Sequence, residues 1–423
     1  MSAESHVKDL VKRLVCHRLE PDWLRDCREQ ALTVYETLPE PVFEKSDLRK
    51  RRTGPFSKTK TPLPCPELLH LREPFQSHTT SRMVYSNETI TEHALQPDLA
   101  QQGVLFTDLS LAVRIFPRLV QPYLGKALPP NADRWVALNG AIWNAGLFLY
   151  VPKNVQITLP LQAWWTRTIG GGQLHPRLLV VAEENSSVTL LAGEMSELEE
   201  DAFSTFTAEV FAKQGARVRI ALLQEQSAQM TRLAYLRARV DHDAQVDWLF
   251  ADGGTGYTVA DVTSMLEEDG GASTLHGLAL GSESQHLDLT LRTEHRGRHT
   301  TSDIKTRALL TGRAKTISRA VSAIAKGAVG TNSTQEERIM LLDKTAQAHP
   351  IPMLLIAEED VRCDHAVSVG SIPADPLFYL MARGLTQADA KHLLLQSFLH
   401  PVLAPIPGLE DALHGWLERR ITR

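Results

Sequence analysis

A spacing of 28 or 29 residues recurs in this 423-residue chain and constrains its fold more than any other feature. Four segments share a turn-like tripeptide, a small residue and an apolar run: ENSSVTLLAG, KQGARVRIALL, DHDAQVDWLF and DGGASTLHGLAL. A repeat of this length is typical of a solenoid, in which each unit stacks on the next. The small residues are Ser187, Ala216, Ala244 and Ala272, at spacings of 29, 28 and 28.

Short strand-like runs surround this repeat. From Trp135 to Ser371, runs rich in Val, Ile, Leu and Thr are separated by Gly, Asn and Asp. Alternation with period two in these runs predicts strands that are buried on one face. The period favours either the stacked coils of a β-helix or a sandwich with regular hairpins, and the residues alone leave both open. The low aromatic fraction of 6% fits thin coils, because these stack small and β-branched side chains.

The two ends of the chain predict helices. Apolar residues recur at helical spacing in the first 40 residues, and a proline-rich linker follows over residues 40–74. The linker carries the basic run Arg49–Arg52, for which a solvated loop is favoured over contact with an anion or RNA. We therefore expect a helical region with this linker over 1–130, a strand-rich core over 131–372 and a helical region over 373–423.

Two apolar stripes indicate helices in the last region, and Thr386 with Asp389 resembles a capping box before the first of them. For the second stripe we expect packing on the body of the protein, with docking of a partner as the alternative. The first stripe is Ala390, Leu393, Leu394, Ser397 and Phe398, and the second is Leu409, Ala412, Leu413, Trp416, Leu417 and Ile421.

Composition excludes some classes of function. Lys and Arg number 45 against 50 Asp and Glu, and this net charge of −5 is not that of a strongly basic nucleic-acid binder. We expect no membrane span and no signal peptide, because no long apolar run occurs. The cysteines form no CxxC pair, so we expect reduced thiols and a cytoplasmic location. They are Cys16, Cys27, Cys65 and Cys363.

Motifs for independent catalysis are missing from the sequence. It contains no GxxxxGK[ST], no HExxH, no GxSxG and no GxGxxG in a βαβ setting, so we do not expect the chain to hydrolyse nucleotides itself. His295 and His299 are four residues apart, which on a helix would place both on one face. Gly297 between them predicts a turn instead of a metal site.

One stretch, EEDVRCDHAVSVG (358–370), places Cys363 two residues before His365. On a strand these side chains point to the same side, whereas Asp364 points to the other. A thiol and an imidazole on one face can share iron or zinc, and a neighbouring imidazole can also make the thiol nucleophilic. By spacing alone, simple packing is the more common explanation.

This stretch and its neighbours resemble the SufB/SufD family of iron–sulfur cluster assembly proteins. The similarity rests on DVRCDHAVSVG (360–370), LFYLMARGL (377–385), the run over 290–328 and the run over 331–356, and it spans residues 135–400. In two details the sequence resembles the SufD branch of this family more than the SufB branch. His365 stands where SufB has glutamate, and the cysteine that SufB carries in its β-core to accept sulfur is missing between Cys65 and Cys363.

The resemblance implies a mainly β fold, with a right-handed parallel β-helix over 131–372 between helical N-terminal and C-terminal regions. It also implies a non-catalytic scaffold that pairs with a SufB-like paralogue, while a SufC-like ABC-type ATPase supplies ATP hydrolysis. The implied ATPase-docking residues lie in the segment from Phe378 to Phe398. They are Phe378, Tyr379, Leu380, Arg383, Gly384, Leu394 and Phe398.

By the same resemblance, iron or a nascent iron–sulfur cluster forms transiently at the SufB–SufD interface, and this chain alone holds none firmly. His365 is the implied iron ligand, and Cys363 either assists as a thiolate or only packs. Whether the isolated chain forms a homodimer is left open. Two alternatives remain: a structural SufB partner without a metal role, and a β-helix polysaccharide lyase or hydrolase. The candidate acids of such an enzyme are Asp261, Asp288 and Asp303.

Overall fold

The computed structural model describes residues 3–43, 45–46, 48, 51, 81–168, 174–196, 201–403, 406 and 409–421. Of the predicted linker, only part of its first half lies among these residues. The helices are α1 (Ala3–Arg18), α2 (Asp22–Thr37), α3 (Pro97–Gln101), α4 (Leu109–Ile115), α5 (Pro117–Val120), α6 (Arg134–Ile142), α7 (Ala374–Ala382), α8 (Gln387–Leu403) and α9 (Glu410–Ile421).

The strands build a parallel β-solenoid. Its odd-numbered strands from β5 and even-numbered strands from β4 form two facing sheets, and each strand pairs in parallel with the strand two positions along the chain. The β-helix prediction is therefore confirmed, and a sandwich of hairpins is excluded. The strands are β1 (Arg82–Ser86), β2 (Thr89–Ala94), β3 (Leu105–Asp108), β4 (Ala145–Val151), β5 (Leu161–Thr166), β6 (Pro176–Ala182), β7 (Ser187–Met195), β8 (Ala202–Ala212), β9 (Arg217–Glu225), β10 (Met230–Val240), β11 (Gln245–Asp252), β12 (Tyr257–Leu266), β13 (Ala272–Gly281), β14 (His286–His295), β15 (Thr301–Leu310), β16 (Lys315–Ile324), β17 (Thr331–Leu341), β18 (Gln347–Ile356) and β19 (Val361–Gly370).

The turn-like tripeptides of the sequence repeat form one corner of the solenoid. There the backbone takes positive φ values of 56° at Asn185, 66° at Gly215, 53° at Asp243 and 73° at Gly270. Asn, Asp and Gly tolerate this left-handed conformation best, which explains the composition of the tripeptides. The backbone N–H of each of these four residues donates to a carbonyl of the following coil at 2.9–3.0 Å. The corner thus ties successive coils together.

The observed strand pairing differs from the predicted alignment of the repeats by one residue at two positions. Ala216 and Ala244 are equivalent, because Arg217 and Gln245, which follow them, are paired. Their counterparts are Ser186 and Gly271, since Ser187 pairs with Arg217 and Ala272 pairs with Gln245. The residue of positive φ, and not the small residue after the tripeptide, is therefore the fixed point of the repeat.

The beginning of the solenoid is covered. Strand β2 pairs antiparallel with β1, which lies beside β5, and β3 pairs antiparallel with β4. Helix α6 packs against α2, where the buried Arg28 guanidinium binds Glu20 at 2.7 Å and the carbonyl of Ala141 at 2.9 Å. Trp135 lies on α6, so the strand-like region predicted from this residue begins with a helix.

Of the C-terminal helices, α8 and α9 pack on the outer face of the odd-numbered strands. The second predicted stripe is confirmed, since Leu413, Trp416 and Leu417 are at most 1% exposed. The first stripe is rotated from its predicted position. The buried residues of α8 are Ala390, Leu395, Leu399, Val402 and Leu403, whereas Leu393 is 46% exposed. Within the described residues, no helix is long and apolar enough to cross a membrane.

Candidate functional site

Cys363 and His365 both lie on β19, the last strand of the solenoid. In the register of β17 and β19, Cys363 is beside Ser333 and His365 is beside Gln335. Ser333 and Gln335 are buried and bind Ser322 of the facing sheet, so this face of β17 points into the solenoid. Because neighbouring strands present the same face at paired positions, Cys363 and His365 form an inward row on the last coil.

This last coil is uncovered. Strands β18 and β19 each pair with one neighbour among the described strands, β16 and β17, so their outer backbone edges are open. His365 is exposed, and Val367 and Val369 of the same row are 40% and 45% exposed. Open strand edges with exposed apolar side chains are the features of a surface that pairs with another chain. The solenoid therefore has one covered end and one open end.

Polar side chains line the interior just below the open end. The Ser333 hydroxyl lies 2.8 Å from that of Ser302 and 2.7 Å from that of Ser322. The ring nitrogens of His295 lie 2.8 Å from the Thr300 hydroxyl and 2.9 Å from the Ser302 hydroxyl. Deeper coils carry a mostly apolar interior of Leu, Val, Ala and aromatic rings, with the buried Glu194–Arg232 ion pair among them. The polar network thus ends directly beneath the row of Cys363.

Two acidic groups near this row have raised pKa values. Burial raises the pKa of Glu337 to about 7, although the Ser318 hydroxyl and a backbone N–H donate to its carboxylate. Burial and the neighbouring Asp364 raise the pKa of the Cys363 thiol, against a hydrogen bond from the backbone N–H of Ser333. Cys363 is therefore a protonated thiol near neutral pH, and a metal that binds it has to displace the proton.

The donors of this chain make an incomplete metal site. Over the described ranges, no group of three or more His, Cys, Asp and Glu side chains is close enough to hold a metal ion. A thiol and an imidazole suit iron in their chemistry, but two donors leave most of its coordination sphere to other groups. His299 does not add to them, because it lies in a turn with a φ of 53°, as Gly297 predicted. The donor set fits a metal that a second chain also binds.

The predicted docking residues divide into two groups. Phe378 and Tyr379 on α7 are 74% and 56% exposed, and none of the described α7 side chains is buried. Arg383 follows this helix and donates to the Tyr379 hydroxyl at 3.0 Å, while Gly384 has a φ of 98° after the helix end. Leu380, Leu394 and Phe398 are only half-buried, and Phe398 lies 5.7 Å from the Arg307 guanidinium. The exposed part of the predicted surface is thus α7.

Of the acids proposed for a lyase or hydrolase, Asp261 and Asp288 point to the same face of one sheet, whereas Asp303 is separate from them. Asp261 binds Arg237 at 3.0 Å, and Asp288 accepts from Ser46 and Arg319 on the same sheet. Asp303 lies on the other sheet and accepts from Lys305 at 2.6 Å. Each of these carboxylates forms an ion pair with Arg237, Arg319 or Lys305, so none is left free for the acid and base roles of glycoside cleavage.

Sequence reasoning missed Ser333, Gln335 and Glu337. The stretch TNSTQEE in β17 is polar throughout, so no alternation in the sequence marks these residues, and only the burial of every second side chain shows that they face inward. Of the basic run, Arg51 is described, and its guanidinium lies 4.8 Å from the centroid of the Tyr257 ring. Arg49, Lys50 and Arg52 lie outside the described residues, as does Cys65.

Comparison with known proteins gives two family matches that together span most of the chain. Residues 166–398 match the model described as SUF system FeS cluster assembly, SufBD core domain. Residues 75–163 match the SufBD protein N-terminal region. The chain is 30% identical to the iron–sulfur cluster assembly protein SufD of Bacillus subtilis, over 95% of both chains. It is 23% identical to the SufB protein of the same organism, over 95% of this chain and 89% of that one.

Proposed function

The chain belongs to the SufBD family of iron–sulfur cluster assembly proteins, and from this premise we propose that it is the SufD-type scaffold of a complex with a SufB-like paralogue and a SufC-like ATPase. In this proposal the scaffold is not itself catalytic. The complex works in the cytoplasm, where thiols such as Cys363 stay reduced.

The open end of the solenoid carries this proposal. It presents two unpaired strand edges, exposed valines and the inward row of Cys363 and His365 in one place. A SufB-like solenoid that meets this end would cover the edges and supply the missing metal ligands. A second copy of this chain could cover the same edges, so the homodimer is the competing outcome of an association experiment.

His365 is the proposed iron ligand, with iron as the cargo of the assembly reaction. A neutral imidazole nitrogen offers a lone pair to the metal, and Cys363 joins as a thiolate once its proton is displaced. The network below the row holds Ser333 in place through Ser302 and Ser322. Covering the end by a partner would then enclose the metal in a polar, hydrogen-bonded pocket.

Helix α7 is the proposed ATPase-docking surface. Its exposed Phe378 and Tyr379 supply the aromatic anchors that stable interfaces favour. In the proposed cycle, ATP binding draws two ATPase subunits together, which strains the SufB–SufD pair and opens the metal site. The position of α7 directly after β19 supports this coupling, because only residues 371–373 separate the helix from the strand of Cys363 and His365.

Co-expression with SufB-like and SufC-like proteins tests the proposal. The complex is isolated by size, and its iron content and cluster absorbance are measured after reconstitution. We expect His365→Ala to lose most of the bound iron while the complex keeps its size. His349→Ala is the matched control, because His349 lies on edge strand β18 but on the opposite face from the inward row.

The result separates the proposed metal role from the structural alternative. Iron content and cluster yield unchanged in His365→Ala would leave a purely structural partner as the function. Failure of the chain to associate with either partner, with a homodimer in its place, would overturn the proposed complex.

A further inference from the structure

The side-chain amide of Gln335 is fixed in one orientation. Its Nε2 donates to the Ser322 hydroxyl at 2.7 Å and to the backbone carbonyl of Met353 at 3.1 Å. Because a backbone carbonyl only accepts hydrogen bonds, the group that faces it has to be the NH2, and the amide cannot be flipped. The position of Oε1 is therefore determined as well.

The Oε1 atom of Gln335 has no hydrogen-bond partner within the described part of the chain, although the residue is only 3% exposed. A buried acceptor without a donor is unfavourable, and such an atom in a native structure calls for an explanation. The same amide has both of its donor contacts satisfied by the facing sheet. The missing partner is thus a single N–H or O–H donor.

His365 is the inward residue beside Gln335. The two residues are paired in the parallel register of β17 and β19, and neighbouring strands lie about 4.8 Å apart. His365 is exposed on the open coil, whereas Gln335 beside it is buried one coil further in. Among the described residues of β17, Oε1 of Glu337 is a second oxygen without a hydrogen-bond partner, but Glu337 pairs with Val367, one inward position farther along.

We propose that Gln335 is the positioning residue of His365, with its Oε1 accepting the N–H of the ring nitrogen that does not bind metal. The inference rests on the proposed iron-binding role of His365. A metal-bound imidazole keeps one N–H, and an acceptor for that N–H fixes both the tautomer and the direction of the ring. No proton is transferred, and the amide is neutral throughout.

This role explains why the amide is held so firmly. Ser322 and Met353 lie on the facing sheet, so the orientation of Gln335 is set from across the interior rather than from the open edge. The acceptor is therefore prepared before a partner covers the end. Ser333 cannot replace it, because its hydroxyl is engaged by Ser302 and Ser322 and its register partner is Cys363.

The test measures Co(II) binding to the complex of this chain with its SufB-like and SufC-like partners. Cobalt is used alone as the probe, because its absorption spectrum reports the ligand field. We expect Gln335→Leu to weaken Co(II) binding about 10- to 100-fold, as loss of an outer hydrogen bond does in other metal sites. Gln335→Glu keeps an acceptor oxygen but loses the NH2 that donates to the Met353 carbonyl, so we expect its Co(II) binding to lie between that of Gln335→Leu and that of the wild type.

Gln224→Leu is the matched control. Gln224 is a fully buried glutamine on β9, four strands deeper in the same sheet than β17, and its Nε2 also lacks a partner among the residues described. We expect its removal to leave Co(II) affinity unchanged. Equal losses in Gln224→Leu and Gln335→Leu would overturn the inference, because they would indicate a general effect on the interior.

The remaining outcomes separate this inference from the proposed function. If His365→Ala loses Co(II) while Gln335→Leu binds as the wild type does, the inference fails and the metal role of His365 stands. If His365→Ala binds Co(II) normally, the proposed function fails, and with it the premise of this inference.

Discussion

The indole N–H of Trp416 donates to a carboxylate oxygen of Glu225 at 3.0 Å, and this bond joins the last helix to the outer face of the solenoid. Arg420 of the same helix binds the other carboxylate oxygen. Trp416 itself is 1% exposed and packs over Gly253, whose missing side chain makes room for the ring. A single strand residue thus holds two residues of α9.

Removal of the Trp416 side chain tests how much this contact stabilises the protein. We expect Trp416→Ala to lower the free energy of unfolding by about 3–5 kcal/mol, the usual cost of emptying a buried tryptophan site. Trp416→Phe keeps most of the ring but loses the hydrogen bond, so its cost should be smaller. Urea denaturation gives both values. Equal midpoints for Trp416→Ala and the wild type would show that α9 is only loosely attached.

The left-handed corner gives a second prediction. A Cβ atom at Gly270 would lie 2.0 Å from Oδ1 of Asp243, whereas one at Gly327 would meet no described atom within 4 Å. Both glycines have positive φ, 73° and 95°, so a side chain added at either position strains the backbone. We expect Gly270→Ala to destabilise the protein more than Gly327→Ala in urea denaturation. Similar costs would mean that the corner can relax around the added methyl group.

This corner also shows how far the sequence defined the fold. Asn185, Gly215, Asp243 and Gly270 all belong to the turn-like tripeptides, whose spacing predicts repeated units but leaves stacked coils and a sandwich of hairpins both open. The exact register was off by one at two positions, because Ser187 and Ala272 resemble the true equivalents in size. Small residues are interchangeable at such sites, so residue type does not determine their alignment.

The candidate site was predicted in part. Strand alternation places Cys363 and His365 on one face, but it does not say whether that face is inward or which coil is the last. Both depend on pairing between strands that are distant in sequence, such as β17 with β19. The rotated face of α8 has a similar cause, since contact with the solenoid, rather than apolar content alone, decides that Leu395 is buried and Leu393 exposed.

Glu337 predicts a specific dependence of stability on pH. Burial raises its pKa from 4.5 to about 7 in the folded state, so the folded protein retains a proton that the unfolded chain loses at lower pH. The stabilisation is complete below the unfolded pKa and is lost as pH rises from 4.5 through 7. Its size is on the order of 3 kcal/mol.

The variant Glu337→Gln has a neutral amide at this position, which does not titrate between pH 5 and pH 8. We therefore expect it to gain stability relative to the wild type between pH 5 and pH 8, as measured by urea midpoints at both values. A constant difference between the two proteins would show that Glu337 does not titrate in this range. Glu336→Gln is a suitable control, because Glu336 is the preceding residue on β17 and binds Arg307 instead of facing inward.

The exposed aromatic residues of α7 give the last prediction. Phe378 is 74% exposed, so we expect Phe378→Ser to leave the free energy of unfolding, measured by urea denaturation, within about 0.5 kcal/mol of the wild type. If α7 docks the ATPase, the same change should weaken binding of a SufC-like subunit at least tenfold, since buried aromatic anchors dominate interface energies. Titration calorimetry measures this affinity.

A matched control for Phe378→Ser is Ile115→Ser, because Ile115 is also an exposed apolar residue, at 57%, but lies at the end of α4 in the N-terminal region. We expect this variant to bind the ATPase as the wild type does. Unchanged affinity in both variants would move the docking surface away from α7. An equal loss in both would indicate non-specific adhesion of apolar patches, because two sites on such different elements cannot share one small interface.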